Sequence, residues 1–205
     1  NFLPHVDEYH IPFAQHPGFQ SKAKIVYEFD PADVDGNYMY PAMARSFREA
    51  GIQLATHFAY DAMFLAPYNT NYGTHFMSLP YAPKKAISLK IASAVFHEVP
   101  RNKDYGNHPE NTTFDNFRID YKNDLVEFVT DKRFFHSNNT NTAPDNPEKL
   151  EELAGYGNSP LIQYDGKGAW FLDKVEDGIW RLEVMPDAYR LGDPYKPISP
   201  RRQVA

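Results

Sequence analysis

The first hundred residues alternate twice between a short apolar strand and an amphipathic helix, and this order constrains the fold more than any other feature. Hydrophobic patterning predicts strands over about 24–29 and 52–60 and helices over about 38–50 and 83–97. A strand followed by a helix, repeated along the chain, is typical of a parallel sheet. The sequence therefore predicts an α/β segment over residues 1–101.

The second half of the chain has a different pattern. After a polar, turn-rich linker predicted at 102–113, short β-type segments are separated by turns such as Asp165-Gly166 and Asp177-Gly178. This pattern predicts a β-rich C-terminal domain over 114–190, with one helix at 147–155 and a strand at 161–164. A Pro- and Arg-rich tail over 191–205 is predicted to be irregular.

Composition excludes several classes of function. The net charge is −6 and Lys and Arg form no basic stripe, so nucleic acid is not an expected partner. No run of about 18 apolar residues is present, so no membrane span is predicted. The chain has no Cys, and its eight His residues form no helical His-x-x-x-His pair, so no metal site is expected. Because a Gly-rich phosphate loop is also missing, we expect no cofactor.

Glu28 is the candidate catalytic residue. It lies near the end of a strand that otherwise consists of Ile25, Val26, Tyr27 and Phe29. A carboxylate in an apolar strand is costly to bury unless it has a partner or a function. The structural alternative is a strand-end carboxylate that a neighbouring backbone N–H or an Arg side chain satisfies.

The candidate binding residues follow the two predicted strands. In parallel sheets, the loops after the carboxyl ends of strands carry the functional groups. Tyr rings can stack on sugar faces, and carboxylates, Asn amides and His can bond to hydroxyl groups. An ordered surface loop, or capping of the next helix by Asp30, is the structural alternative. The residues proposed to line a sugar cleft are Asp30, Tyr60, Asp61, Tyr68, Asn71 and His75.

Four segments carry a resemblance to a known family: 24–30 (Lys-Ile-Val-Tyr-Glu-Phe-Asp), 39–51, 56–61 (Thr-His-Phe-Ala-Tyr-Asp) and 81–90. Over about residues 20–100 they resemble the last two βα units of a (β/α)8 barrel. The resemblance is to glycoside-hydrolase-like proteins of Bacteroidetes, in the style of the large retaining clan A, with a weaker echo over 160–188. It implies the fold class α/β plus all-β, with a barrel end followed by a small β-sandwich-like domain.

The resemblance also implies roles for residues. In that clan the nucleophile is a Glu at the end of the seventh strand, which corresponds to Glu28. The general acid/base lies on the fourth strand, which would precede Asn1 in a longer parent chain holding the remainder of the barrel. Retaining hydrolysis needs two carboxyl groups about 5–5.5 Å apart. This chain alone is therefore expected to be inactive.

Two functions follow as expectations. The first is a fragment of a retaining glycoside hydrolase that acts on a polysaccharide or oligosaccharide. The alternative is a non-catalytic carbohydrate-binding or interaction module that uses the same Tyr- and Asn-rich loop without an activated carboxylate. In either case a carbohydrate is the expected partner, and a secreted, periplasmic or cell-surface location in bacteria is expected.

Overall fold

The computed structural model describes residues 10–30, 36–57 and 79–189. Its α-helices are α1 (Pro17–Gln20), α2 (Met39–Glu49) and α3 (Pro83–Glu98). Single 3-10 turns occur at Leu79–Tyr81, Glu110–Thr112 and Pro147–Lys149. The strands are β1 (Ile25–Phe29), β2 (Leu54–His57), β3 (Thr113–Phe114), β4 (Phe117–Asp120), β5 (Leu125–Val129), β6 (Arg133–His136), β7 (Glu152–Gly155), β8 (Trp170–Glu176) and β9 (Ile179–Val184).

The described strands form two sheets of unequal size. Strands β1 and β2 pair in parallel, with Ile25 opposite Leu54 and Phe29 opposite His57. The other seven strands form one sheet in the order β3-β4-β5-β6-β7-β8-β9. All its neighbours are antiparallel except β6 and β7, which run in the same direction. The described protein is therefore mostly β.

The prediction of two βα units of a (β/α)8 barrel is wrong, whereas the β-rich character predicted for the second half is confirmed by the seven-stranded sheet. Among the described residues, β1 and β2 pair only with each other. Barrel strands have a neighbour on both sides and are covered by helices, whereas Ile25, Tyr27 and Leu54 are exposed here. Helix α3 packs on α2 and on β5 and β6, so its apolar side covers the large sheet. The order of strands and helices in the sequence did not reveal that α3 packs on the large sheet.

The helices form where apolar residues recur at helical spacing. In α2, Met39, Ala42 and Phe47 are buried, and Gly51 follows the helix with φ of 80°, a value that favours glycine at a helix end. Helix α3 begins at Pro83, whose fixed φ suits a first helical turn, and buries Ile87 and Ile91. No helix in the described part of the chain is long and apolar enough to cross a membrane.

One apolar core joins the helices to the large sheet. It contains Phe29 from β1 and Ile91 from α3 together with aromatic residues of the sheet. Phe128 stacks on Phe117 at 4.5 Å between ring centroids, and Phe117 stacks on Phe114 at 5.3 Å. Polar contacts also join the two halves of the chain, since Asn37, which precedes α2, donates hydrogen bonds to Asp124, which precedes β5. A domain division near residue 101 stays a prediction.

Two predicted elements of the second half are also wrong. The segment predicted as a helix at 147–155 is one 3-10 turn followed by β7. Its Leu153 and Ala154 pair with β6 on one side and β8 on the other, so sheet contacts override the helical preference of the Glu- and Leu-rich segment. The segment 161–164 is irregular, so Asp165-Gly166 does not close a hairpin.

Candidate functional site

A cavity of about 1070 Å³ lies where strands β4, β6 and β7 of the seven-stranded sheet end. We call it the Asn-rich cleft, because nine of its fourteen lining residues carry an amide or a hydroxyl group. These are Asn123, Asn138, Asn139, Thr140, Asn141, Thr142, Asn158, Ser159 and Gln163; the others are Arg118, Asp120, Leu125, Pro160 and Asp165.

Sheet topology explains why these residues meet. Strand β4 ends where the antiparallel β5 begins, and β6 in turn ends beside the start of β5. Since β6 and β7 are parallel, the loops that follow them leave the sheet at this same end of the strands. Three connections that are distant in sequence therefore converge: the β4–β5 turn, the loop after β6 and the loop after β7.

Hydrogen bonds between these connections fix the walls of the cleft. Asn138 Nδ2 donates to the carbonyl of Asn123 at 3.0 Å, which joins the loop after β6 to the β4–β5 turn. Asn158 N donates to Asn139 Oδ1 at 2.8 Å, and Thr140 N donates to the carbonyl of Asn158 at 2.9 Å. Because the loops are bonded to one another, the cleft keeps its shape without a ligand.

Gly157 permits the close approach of two of these loops. Its φ is 75°, a conformation that side-chain-bearing residues rarely adopt. A Cβ atom at this position would lie 2.2 Å from Asn139 Oδ1. The bond between Asn139 and Asn158 therefore depends on glycine at position 157.

A buried carboxylate lies beneath the cleft. The side chain of Glu127, on β5, is 2% exposed. Its Oε2 accepts a hydrogen bond from Arg118 Nε at 2.6 Å, and its Oε1 accepts one from the Thr140 hydroxyl. Arg118 Nη1 also lies 3.6 Å from Asp120 Oδ2, so two carboxylates compensate the one guanidinium. The cleft has no excess of positive charge.

Asp120 is ionised at the rim of the cleft. Partial burial raises its pKa, but hydrogen bonds from Asn123 and the nearby charge of Arg118 outweigh burial and hold the pKa of Asp120 below its ordinary value. The Asn123 side chain donates to Asp120 Oδ2 at 2.8 Å. Asp120 is therefore a permanent hydrogen-bond acceptor at neutral pH.

His136 lies across from Glu127 on β6 and is fully buried. Burial lowers the pKa of His136, although its bond to the Asn138 carbonyl and the charge of Glu127 partly offset this effect. Its Nδ1 lies 2.8 Å from the Asn138 oxygen, which makes Nδ1 the protonated nitrogen of a neutral ring. Its Nε2 lies near Gly155 and the Trp170 ring. His136 therefore supports the cleft wall through Asn138.

The structure brings one of the predicted site residues into a second polar group. Asp30 directly follows β1 and lies beside His57, the last residue of β2, with 3.6 Å between Asp30 Oδ1 and His57 Nε2. The Tyr40 hydroxyl lies 2.8 Å from His57 Nε2 and 3.4 Å from Asp30 Oδ1. We call Asp30, Tyr40 and His57 the strand-end cluster. Burial, together with the charge of Asp30, raises the pKa of Tyr40, which keeps its proton.

Glu28, the predicted catalytic residue, is exposed on β1, and the predicted binding residues Tyr60, Asp61, Tyr68, Asn71 and His75 lie outside the described residues.

Sequence reasoning missed the Asn-rich cleft. Two features of the sequence could have indicated the cleft: the many Asn and Thr residues over 137–142, and the single Glu in the apolar segment Leu-Val-Glu-Phe-Val.

Within residues 10–30, 36–57 and 79–189, no three His, Asp or Glu side chains are grouped so that they could hold a metal ion. The Asn-rich cleft combines amides and hydroxyls, which both donate and accept hydrogen bonds, with carboxylates, which accept them. Such a surface can bind a polyhydroxylated molecule.

The chain matches no protein-family model, no curated protein and no solved structure.

Proposed function

We propose that this protein binds a carbohydrate in the Asn-rich cleft. The observation that carries the proposal is the convergence of three cross-bonded loops whose side chains end in amides and hydroxyls. Each sugar hydroxyl is both a donor and an acceptor, and an amide offers both functions on one side chain. Loops that are already fixed lose little entropy on binding, which favours affinity.

The charges in the cleft favour a neutral sugar. The lining includes one cation, Arg118, and two anions, Asp120 and Asp165, with Glu127 buried beneath. Arg118 is already bonded to Glu127 and lies beside Asp120. A phosphate or a polyanion would meet more negative than positive charge. The proposed ligand class is therefore an uncharged oligosaccharide.

Two lining residues are the proposed ligand contacts. Many cleft side chains already hold a loop, as Asn139 and Asn158 do. Asn141 and Gln163 are exposed, and within the described part of the chain their side chains form no hydrogen bond. Their amides can bond to a ligand without disrupting the fold.

The test is isothermal titration calorimetry with a panel of neutral oligosaccharides built from glucose, mannose, galactose and xylose. The double variant Asn141→Ala/Gln163→Ala should weaken binding by about tenfold or more, because each lost hydrogen bond is worth about 0.5–1.5 kcal/mol. Gln20→Ala, an exposed amide in α1, is the matched control and should bind like wild type. Equal affinity of the double variant and wild type would refute the cleft as the binding site.

We propose glycoside hydrolysis through Glu28 as a second function. The strand-end cluster favours it, since Asp30, two residues after the exposed Glu28, lies beside the acid–base groups of Tyr40 and His57 at the carboxyl ends of two parallel strands. In this proposal the Glu28 carboxylate attacks the anomeric carbon, the glycosidic C–O bond breaks and the leaving group departs with the bonding electrons. Water then hydrolyses the sugar ester, which frees the Glu28 carboxylate and releases the proton that neutralises the leaving group.

A substrate with a stable leaving group tests Glu28 without a general acid. Dinitrophenyl 2-deoxy-2-fluoroglycosides release dinitrophenolate, which needs no proton, and leave a sugar ester on the nucleophile. Mass spectrometry of peptides should find this ester on Glu28 in wild type and in the exposed control Glu148→Gln, and not in Glu28→Gln. If wild type carries no ester with gluco-, galacto- or manno-configured reagents, the hydrolase proposal fails and the binding proposal is untouched.

A further inference from the structure

Strand β9 is an exposed apolar edge of the seven-stranded sheet. Among the described strands it pairs only with β8, and all six of its residues are exposed. Trp180 is 40% exposed, Leu182 61% and Val184 49%. The opposite edge, β3, has only two residues and offers little backbone to pair with. Proteins usually protect long edge strands, because unpaired N–H and C=O groups recruit another strand.

The pairing of β8 with β9 shows which backbone groups point outward. Met185 N donates to the Ala169 carbonyl at 2.7 Å, so these two residues form a hydrogen-bonded pair. Hydrogen-bonded pairs alternate along an antiparallel ladder. Arg181 and Glu183 therefore direct their backbone groups to β8. The N–H and C=O groups of Trp180, Leu182 and Val184 face the free edge.

We propose that β9 pairs antiparallel with β9 of a second copy of this chain, on a two-fold axis at Leu182. In this register Leu182 meets its own counterpart, and Trp180 meets Val184 of the second copy. All of these residues have outward-facing backbone groups, so they form hydrogen-bonded pairs. The two seven-stranded sheets become one continuous sheet, and the exposed apolar side chains of β9 contact each other.

Charge selects this register among those that the backbone permits. With the axis at Leu182, Arg181 lies opposite Glu183 of the second copy, and the reciprocal pair forms by symmetry. Moving the axis by one residue places Arg181 opposite Arg181, or Glu183 opposite Glu183. Arg181 already contacts Glu183 within its own strand, with 3.2 Å between Nε and Oε1, and bonds to Asp173 across the sheet at 2.6 Å. The opposite charges therefore lie where the second copy requires them.

A charge-swap experiment tests both the dimer and its register. Sedimentation velocity over a concentration series up to several hundred micromolar should show a monomer–dimer equilibrium for wild type. Arg181→Glu places four acidic groups at the axis and Glu183→Arg places four basic groups there, so each variant alone should raise the dimer dissociation constant by about tenfold or more. An equimolar mixture of the two variants restores every opposite-charge pair and should dimerise like wild type.

The controls separate this interface from other causes of association. Lys132→Glu reverses an exposed charge near the amino end of β6, away from β9, and should leave the dimer unchanged. Thermal unfolding of each variant verifies the fold. Monomeric wild type at every concentration, charge variants that dimerise like wild type, or a mixture that fails to recover would each overturn the proposal.

Discussion

Strands β1 and β5 have similar sequences and opposite surroundings. Ile-Val-Tyr-Glu-Phe forms β1 and Leu-Val-Glu-Phe-Val forms β5, and each carries one Glu among apolar residues. Glu28 of β1 is exposed, whereas Glu127 of β5 is buried and bonded to Arg118. Composition therefore does not decide whether such a carboxylate is buried.

The neighbours of each strand explain the difference. Strand β1 pairs only with β2 among the described strands, and Tyr27 is 77% exposed. Strand β5 lies between β4 and β6 and contacts α3 on one face. A central strand buries both its apolar residues and its carboxylate, so the carboxylate needs fixed partners. A strand's place in the sheet therefore sets the role of its polar residue.

The largest effect should come from truncating aromatic residues on the two strands. Phe128→Ala on β5 removes a fully buried ring that stacks on Phe117 and should lower the free energy of unfolding by about 4 kcal/mol. Tyr27→Ala on β1 should change it by less than about 0.5 kcal/mol. Urea denaturation measures both values. Similar losses of stability in the two variants would show that the surroundings of β1 and β5 do not differ as described.

The two carboxylates should also differ. Glu127→Ala removes the buried acceptor of the hydrogen bonds from Arg118 and the Thr140 hydroxyl, while Arg118 keeps Asp120 nearby, and should cost about 2 kcal/mol of unfolding free energy. Glu28→Ala serves as the exposed control and should cost less than about 0.5 kcal/mol. Guanidinium titrations of the variants and wild type give both costs. A Glu127 variant as stable as wild type would show that the buried pair contributes nothing net.

The histidine beside Glu127 should make the central sheet sensitive to acid. Burial lowers the pKa of His136 in the folded state, so the unfolded chain takes up this proton first as the pH falls. Stability is therefore fully present above about pH 6.5 and declines below it, by up to about 1.4 kcal/mol per pH unit until the folded ring is protonated. Thermal unfolding between pH 7.5 and 5 should show a steeper decline for wild type than for His136→Gln. Parallel profiles would refute the assignment.

The smallest effect concerns the small sheet. Tyr40→Phe removes the hydroxyl that contacts His57 and Asp30 and should cost about 1 kcal/mol, because one buried hydrogen-bonding group is lost. Hydrogen exchange should speed up selectively at the amides of Phe29 and His57, while β5 keeps its protection. Tyr38→Phe, in the preceding turn, is the matched control. Uniform changes in both sheets would show that the strand-end cluster does not act locally.

Local patterns in the sequence indicate local structure well. Spacing of Met39, Met43 and Phe47 indicates a helix, and the structure has one at Met39–Glu49. Asp177-Gly178 indicates a tight turn, and Gly178 has φ of 77° between β8 and β9. These elements follow from contacts within a few residues, which patterning can express.

Tertiary placement explains what the sequence did not show. Strand β7 reads as a helix because nothing in its composition reveals the parallel partner β6. The Asn-rich cleft depends on three loops that become neighbours only through the strand order. The different burial of Glu28 and Glu127 follows from the number of strands beside each residue, which the local sequence does not show. Of the predicted site, Asp30 joins a polar group, and the roles of Glu28 and the loop residues after β2 stay predictions.

The parallel pairing of β6 and β7 has a consequence for how the chain can be lengthened or cut. Because the two strands run in the same direction, the segment 137–151 must both line the cleft and return across the sheet to begin β7. Insertions there would disturb a wall and a strand register together. The hairpin tip at Asp177-Gly178 is exposed and joins antiparallel neighbours directly. We expect a reporter domain or a new pair of termini to be tolerated at that tip, which is far in topology from the loops of the Asn-rich cleft.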